Sequence, residues 1–143
     1  MSGRRSATAR IQPMLELSAT ARRLLEEPNL AFLATVMPDG SPQVTPVWIA
    51  LEDGYVTVNT AVGRVKERNM RREPRVSISV AHRDDPYDRV ALRGRVVRMV
   101  EGDEAERQID LLAQKYLGAD EYPGRTAGER RVKVLVEPTS EFR

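Results

Sequence analysis

Two turn signals, Pro38-Asp39-Gly40 and Glu52-Asp53-Gly54, stand so close together that the apolar segments around them have room only for short strands. In the first, proline presets φ and glycine supplies the positive φ that a tight reversal needs. Leu30 to Val36 and Gln43 to Leu51 therefore read as the two arms of a hairpin. Tyr55 to Thr60, with Val56 and Val58 on one face, adds a third strand to the meander. Gly63 then opens a stretch of good helix formers from Arg64 to Arg72, and Pro74 stands where such a helix has to stop.

The rest of the chain follows the same logic. Arg75 to Ala81 places Val76, Ile78 and Val80 on one side, and Arg89 to Val100 is a longer strand in which Gly94 marks a bulge or a close backbone approach. From Asp103 to Leu117 the set Ala105, Ile109, Leu112, Ala113 and Tyr116 has helical period, with Gly118 as its C-terminal cap. A polar loop from Ala119 to Arg130 leads to Val132, Val134 and Val136, an alternating strand that Pro138 ends. Ahead of the meander, Leu17, Ala21, Leu24 and Leu25 recur at helical spacing until Pro28-Asn29. Six strands with two inserted helices and a leading one predict a mainly β protein, a β-barrel with helical decoration.

With 143 residues, 41% of them hydrophobic, the chain supports one core. Residues 1–14 are expected to be a mobile tail and residues 15–143 a single domain. Cysteine is absent and His82 is the only histidine, so disulfides and the usual zinc sites have no ligands. A reducing, cytoplasmic location is the simplest reading. Arg4, Arg5 and Arg10 are not followed by the apolar run of a signal peptide, and no segment approaches a membrane span.

The screen for chemistry is mostly negative. No G-x-G-x-x-G follows a strand, and no phosphate-binding G-x-x-x-x-G-K-[ST] occurs. His82 lies in a charged stretch beside Arg83 and Asp84 and reads as a solvated loop residue rather than a catalytic base. Asp84, Asp85 and Asp88 lack the spacing of an EF-hand loop and read as a surface turn.

Charge is informative only locally. Across the chain 23 basic residues face 21 acidic ones, a net charge of +2. Between Arg64 and Arg75, however, six basic residues face Glu67 and Glu73 alone, a net +4. A compact positive patch on a near-neutral body suits a localised anion better than a long polyanion. Thr60-Ala61-Val62-Gly63 leaves a strand and enters a helix at Arg64, where free N–H groups and the helix dipole favour negative charge. Arg64 and Lys66 stand beside that end, a fork and a point charge suited to a terminal phosphate. The same residues also read as a solvated basic helix face. A nucleic-acid surface is disfavoured, because aromatic residues make up only 5% of the chain and the strands lack a base-stacking platform.

Two ordered segments carry a resemblance. F-L-A-T-V-M-P-D-G-S-P-Q-V-T-P-V-W from Phe32 to Trp48, followed by T-V-N-T-A-V-G-R-V-K-E-R-N-M-R-R-E-P-R-V from Thr57 to Val76, resembles the pyridoxamine 5′-phosphate oxidase-like superfamily. More narrowly, it is similar to the branch that uses the deazaflavin coenzyme F420. The resemblance spans roughly Leu24 to Pro138, and R-x-K-x-x-N followed by P-R is its most specific part. It implies a six-stranded antiparallel split β-barrel of the flavin-reductase, FMN-binding type, assembled as a homodimer with cofactor sites at the subunit interface.

The residues matching the family's cofactor contacts are Thr45, Pro46 and Val47 beside the ring, Asn59 and Thr60 at a strand end, and Arg64 and Lys66 on the phosphate. Asn69 would support the turn, and Tyr87 and Arg89 would reach the partner's site. Trp48 either flanks the ring or fills the barrel. The implied activity is an F420-dependent oxidoreductase, transferring a hydride between the deazaflavin and a small unsaturated or otherwise electrophilic substrate; no catalytic side chain is identified. FMN is the alternative cofactor, and a non-catalytic cofactor-binding protein the alternative role. The resemblance leads to the expectation that vitamin synthesis is disfavoured, because the C-terminal substrate-phosphate segment of the vitamin-making oxidases has no counterpart in Pro138 to Arg143, and Arg68, Arg71 and Arg72 suit the carboxylates of a deazaflavin's oligoglutamate tail.

Overall fold

In the computed structural model, residues 13–143 are described, so the expected N-terminal tail falls outside the described residues except for Pro13 and Met14. The elements in order are α1 (Ala19–Glu26), β1 (Ala31–Val36), β2 (Pro42–Val47), β3 (Ala50–Glu52), β4 (Tyr55–Ala61), α2 (Val65–Arg72), β5 (Arg75–His82), β6 (Asp85–Val100), α3 (Asp103–Leu117) and β7 (Arg131–Phe142). All seven strands join one antiparallel sheet in the order β2-β1-β5-β6-β7-β4-β3.

That order has a geometric consequence. The two edges of the sheet, β2 and β3, are consecutive in sequence and joined only by Trp48 and Ile49. Laid flat, seven strands would separate those edges by roughly 29 Å. The chain from Val47 to Ala50 reaches about 11 Å at most. The sheet must therefore curl on itself, leaving an open seam between β2 and β3, and the mainly β reading with helical decoration holds.

Seven strands replace the expected six because the predicted arm from Gln43 to Leu51 breaks at Trp48-Ile49. There the chain stops pairing with β1 and begins pairing with β4. After Pro46 the run Val47-Trp48-Ile49-Ala50-Leu51 contains no turn residue and is apolar throughout, so nothing in its pattern marks the change of partner at Trp48-Ile49. Two other boundaries move. β6 begins at Asp85 rather than Arg89, because β5 and β6 form a tight hairpin with a register shift at Ala81/His82. β7 continues past Pro138 to Phe142, because Pro138 sits opposite Gly94 at a shift in register, where a ladder tolerates the missing N–H. α3 ends at Leu117 with Gly118 as its left-handed cap, as its sequence predicts.

The core fills the inside of the curl: Leu33, Ile49, Val56, Val58, Ile78, Val80, Val90, Leu92, Val132, Val134 and Val136 pack with Leu24 and Leu25 of α1. α1 is capped by Ser18, whose hydroxyl accepts from Ala21 N–H, while the N–H of Ser18 donates to Glu141 near the end of β7. α3 covers the outside of β4 and β7, which is why Arg131 to Val136 are buried on both faces.

Gly94 is required by contact. A Cβ there would lie 2.5 Å from Val136 Cγ1 and 3.0 Å from the Glu137 carbonyl oxygen. Gly94→Ala should cost about 1–3 kcal/mol in chemical denaturation, the scale of overpacking. Adding Val136→Ala should recover only part of that loss, since the carbonyl stays in place. A Gly94→Ala protein as stable as the wild type would contradict this account of the bulge.

Candidate functional site

A cleft of about 330 Å³ opens where the seam, the start of α2 and the inner face of α3 converge. Its apolar walls are Leu30, Pro46, Val47, Ile109 and Leu112, with Trp48 and Tyr122; its polar end is Asn59, Arg64, Lys66 and Arg131. Each wall is set by its element. Residues opposite one another in an antiparallel pair share a face, so Pro46, opposite Phe32, points outward, while Val47, opposite Ala31, points in. Trp48 stacks on Tyr116 with centroids 5.4 Å apart and meets Tyr122 edge-on at 6.0 Å. Of its two readings, flanking the cleft is the one this placement favours.

The crossing behind Trp48 is held by α3. Tyr116 accepts the N–H of Ile49 at 3.1 Å and donates to the carbonyl of Asn29 at 2.7 Å, and Lys115 donates to the carbonyls of Leu25 and Ile49. Burial pushes Lys115 down to about 8 and Tyr116 up to about 12.

The polar end is a network of cations. Asn59 donates to the Ala105 carbonyl and to Gln108 Oε1, and accepts from Arg131 Nε at 2.8 Å. The Arg131 side chain is only 5% exposed; its guanidinium lies 5.3 Å from the Tyr122 ring centre and donates to Glu129 at 3.0 Å. Arg64 donates to the other oxygen of Glu129 at 3.1 Å. Hydrogen bonding from Arg131, then from Arg64, holds Glu129 below the usual carboxylate range.

Lys66 differs from its neighbours. Among the described residues no carboxylate pairs with it, and burial, followed by the nearby charges of Arg64 and Arg131, lowers its pKa. A half-buried ammonium beside two guanidiniums, with no anion of its own, is a place where an anionic group would relieve electrostatic strain.

The sequence-predicted residues divide. Pro46, Val47, Asn59, Arg64 and Lys66 line the cleft together. Thr45 and Thr60 lie opposite Leu33 and Val132 and face the core, where both hydroxyls are buried and have no hydrogen-bond partner among the described residues. Asn69 is buried and donates to Thr35 Oγ1 at 3.0 Å, tying α2 to β1. Tyr87 and Arg89 stand on the outer surface of β6, the guanidinium 5.9 Å from the Tyr87 ring centre, and do not line the cleft. The anion capacity expected of the helix start is partly consumed internally: Gly63, at φ 95°, gives its N–H to Glu67, and Arg64 gives its N–H to Ala61.

Sequence reasoning missed Arg131, Glu129, Tyr122, Ile109 and Leu112. Ile109 and Leu112 were legible as the apolar face of α3, but not as a cleft wall. Glu129 and Arg131 carried one faint signal, charge at the entry to a valine-rich strand. His82 accepts from the N–H of Asp84 in the β5–β6 turn, and no metal-binding cluster occurs among the described residues. No helix among them is long and apolar enough to cross a membrane.

Residues 17–139 match the family model described as pyridoxamine 5′-phosphate oxidase. The chain belongs to that family. The resemblance carried by Phe32 to Trp48 and Thr57 to Val76 is thus borne out, and the family is an oxidoreductase type that takes flavin-like cofactors. Among solved structures the chain is similar to an F420 reductase, at 35% identity over 85% of this chain and 94% of that one, with a TM-score of 0.74. It is also similar to a conserved hypothetical protein from Mycobacterium tuberculosis, at 25% identity over 94% and 88% of the two chains, with a TM-score of 0.69. A heme storage protein from Vibrio cholerae shares the fold at 20% identity over 90% and 94% of the two chains, with a TM-score of 0.66. No curated protein matches the sequence.

Proposed function

We propose that this member of the pyridoxamine 5′-phosphate oxidase family is an F420-dependent reductase acting on a small unsaturated organic substrate. The observation that carries the reading is the unpaired, half-buried ammonium of Lys66, flanked by Arg64 and Arg131 at the end of an apolar cleft. The likeness to an F420 reductase at 35% identity supports it. The residues present fit a cofactor with a flat ring and an anionic tail: Pro46, Val47 and Trp48 offer the apolar wall, and Lys66 with Arg64 the phosphate seat. When bound, the deazaflavin supplies hydride transfer. The chain's own part is to orient the ring against Trp48, exclude water with Leu30, Ile109 and Leu112, and neutralise the phosphate. The reading assigns no obligatory acid or base in the cleft; a proton would come from solvent or from Tyr87 of a second copy.

The working unit is proposed to be a homodimer. The outer face of the sheet presents Phe32 and Val44, 47% and 60% exposed, beside Ala34, Val36, Pro42 and Pro46, with the small residues Ser77, Ser79 and Ala91 alongside. Pro46 belongs both to this face and to the cleft, so a second copy seated here would border the cofactor site. Arg89 emerges on the same face, two residues from Ala91, and Tyr87, 83% exposed, stands beside it. Both are proposed to reach across to the partner's cleft, as neither lines the cleft of this chain.

Side-by-side fluorescence titrations with F420 and FMN test the cofactor, with Trp48 as the single intrinsic tryptophan reporter. Tighter binding of F420 is expected, and a clear preference for FMN would overturn the assignment. Sedimentation velocity tests the assembly. A dimer is expected for the wild type and a monomer for Val44→Asp, whereas a monomeric wild type at micromolar concentration would refute the shared site.

A further inference from the structure

Glu129 is bound to two of the three cations that line the polar end of the cleft. Its two carboxylate oxygens accept separately from Arg64 and Arg131, the two guanidiniums of the cleft, at 3.1 and 3.0 Å. The local chain aims it there: Gly128 has a φ of 81°, and the N–H of Glu129 closes a turn onto the Thr126 carbonyl at 3.2 Å. Three cations less this one carboxylate leave two positive charges at the polar end, and among the described residues Lys66 has no carboxylate partner.

A carboxylate fixed among the cations that receive a ligand repels that ligand in proportion to the ligand's own charge. A phosphate esterified on both sides carries one negative charge at neutral pH, whereas a terminal phosphomonoester carries close to two. F420 presents the first kind and FMN the second.

We propose that Glu129 is a specificity residue that holds down the affinity of the cleft for phosphomonoesters relative to phosphodiesters. It does so without touching the ring or the substrate. This deepens the cofactor reading above and rests on it for the identity of the ligand, but the charge discrimination belongs to the cleft itself.

The experiment compares the wild type with Glu129→Gln, which keeps the side chain's shape and its capacity to accept from one arginine while removing the charge. Because the repulsion scales with ligand charge, the gain for a dianion should be about the square of the gain for a monoanion. If Glu129→Gln tightens diphenyl phosphate about threefold, phenyl phosphate should tighten about ninefold, and FMN should gain more than F420. Riboflavin, which has no phosphate, should be unmoved. The same comparison by calorimetry with phenyl phosphate and diphenyl phosphate needs no flavin, and Glu129→Ala with matched thermal melts guards against a folding artefact.

Equal gains for mono- and diester probes would overturn the proposal. Loss of both would also overturn it, since Glu129 would then be holding Arg64 and Arg131 in place for the ligand. If the wild type binds neither F420 nor FMN, the cofactor reading fails, while the phenyl phosphate pair still decides the role of Glu129.

Discussion

Two residues, Trp48 and Ile49, join opposite edges of a seven-stranded sheet, and the side chains of Lys115 and Tyr116 clamp that crossing from α3. Closing a sheet over so short a link fixes its curl, and the curl fixes what stands near what. Ile49 is fully buried, so its N–H and C=O must find partners inside the protein. Tyr116 and Lys115 provide them. The same contacts place Trp48 against Tyr116, bring the Ile109 and Leu112 face of α3 over β4, and set the back of the cleft.

The chemistry of the cleft follows from what that frame leaves unbalanced. Most charged residues around it have internal partners: Arg64 and Arg131 share Glu129, Glu67 takes Arg71, and Lys133 sits between Glu52 and Glu104. Lys66 does not. Each of these pairs but Arg64–Glu129 has one buried member, Arg131, Glu67 or Lys133, which would be costly to leave without its partner; together they also tune the field around Lys66. Burial and two neighbouring guanidiniums make the protonated state of Lys66 harder to hold, which is the condition under which an anion binds with most benefit.

How much of this was legible in the sequence depended on whether a feature is local. The Pro38-Asp39-Gly40 hairpin, the α3 helix up to Gly118 and the Gly94 bulge were readable because turn residues and helical period act within a few positions. The break at Trp48-Ile49 was not, because a change of strand partner in a uniformly apolar run leaves no local mark. Within the site, Arg64, Lys66 and Asn59 were found through an ordered motif. Thr45 and Thr60 share that neighbourhood in sequence but turn to the opposite face of their strands, as the period of two dictates once the register is known. Arg131 and Glu129 arrive from the far end of the chain and become neighbours of Arg64 only through the pairing of β4 with β7.

The central claim is that the cleft grips the phosphate of its cofactor through Lys66, and affinity for F420 in Lys66→Ala and Lys66→Arg proteins tests it most directly. Lys66→Ala should weaken binding by about 1–3 kcal/mol, the scale of losing a charge-assisted hydrogen bond, with an unchanged thermal melt. Lys66→Arg should retain most of the affinity. If Lys66→Ala binds F420 as tightly as the wild type, the account is wrong and the grip lies elsewhere.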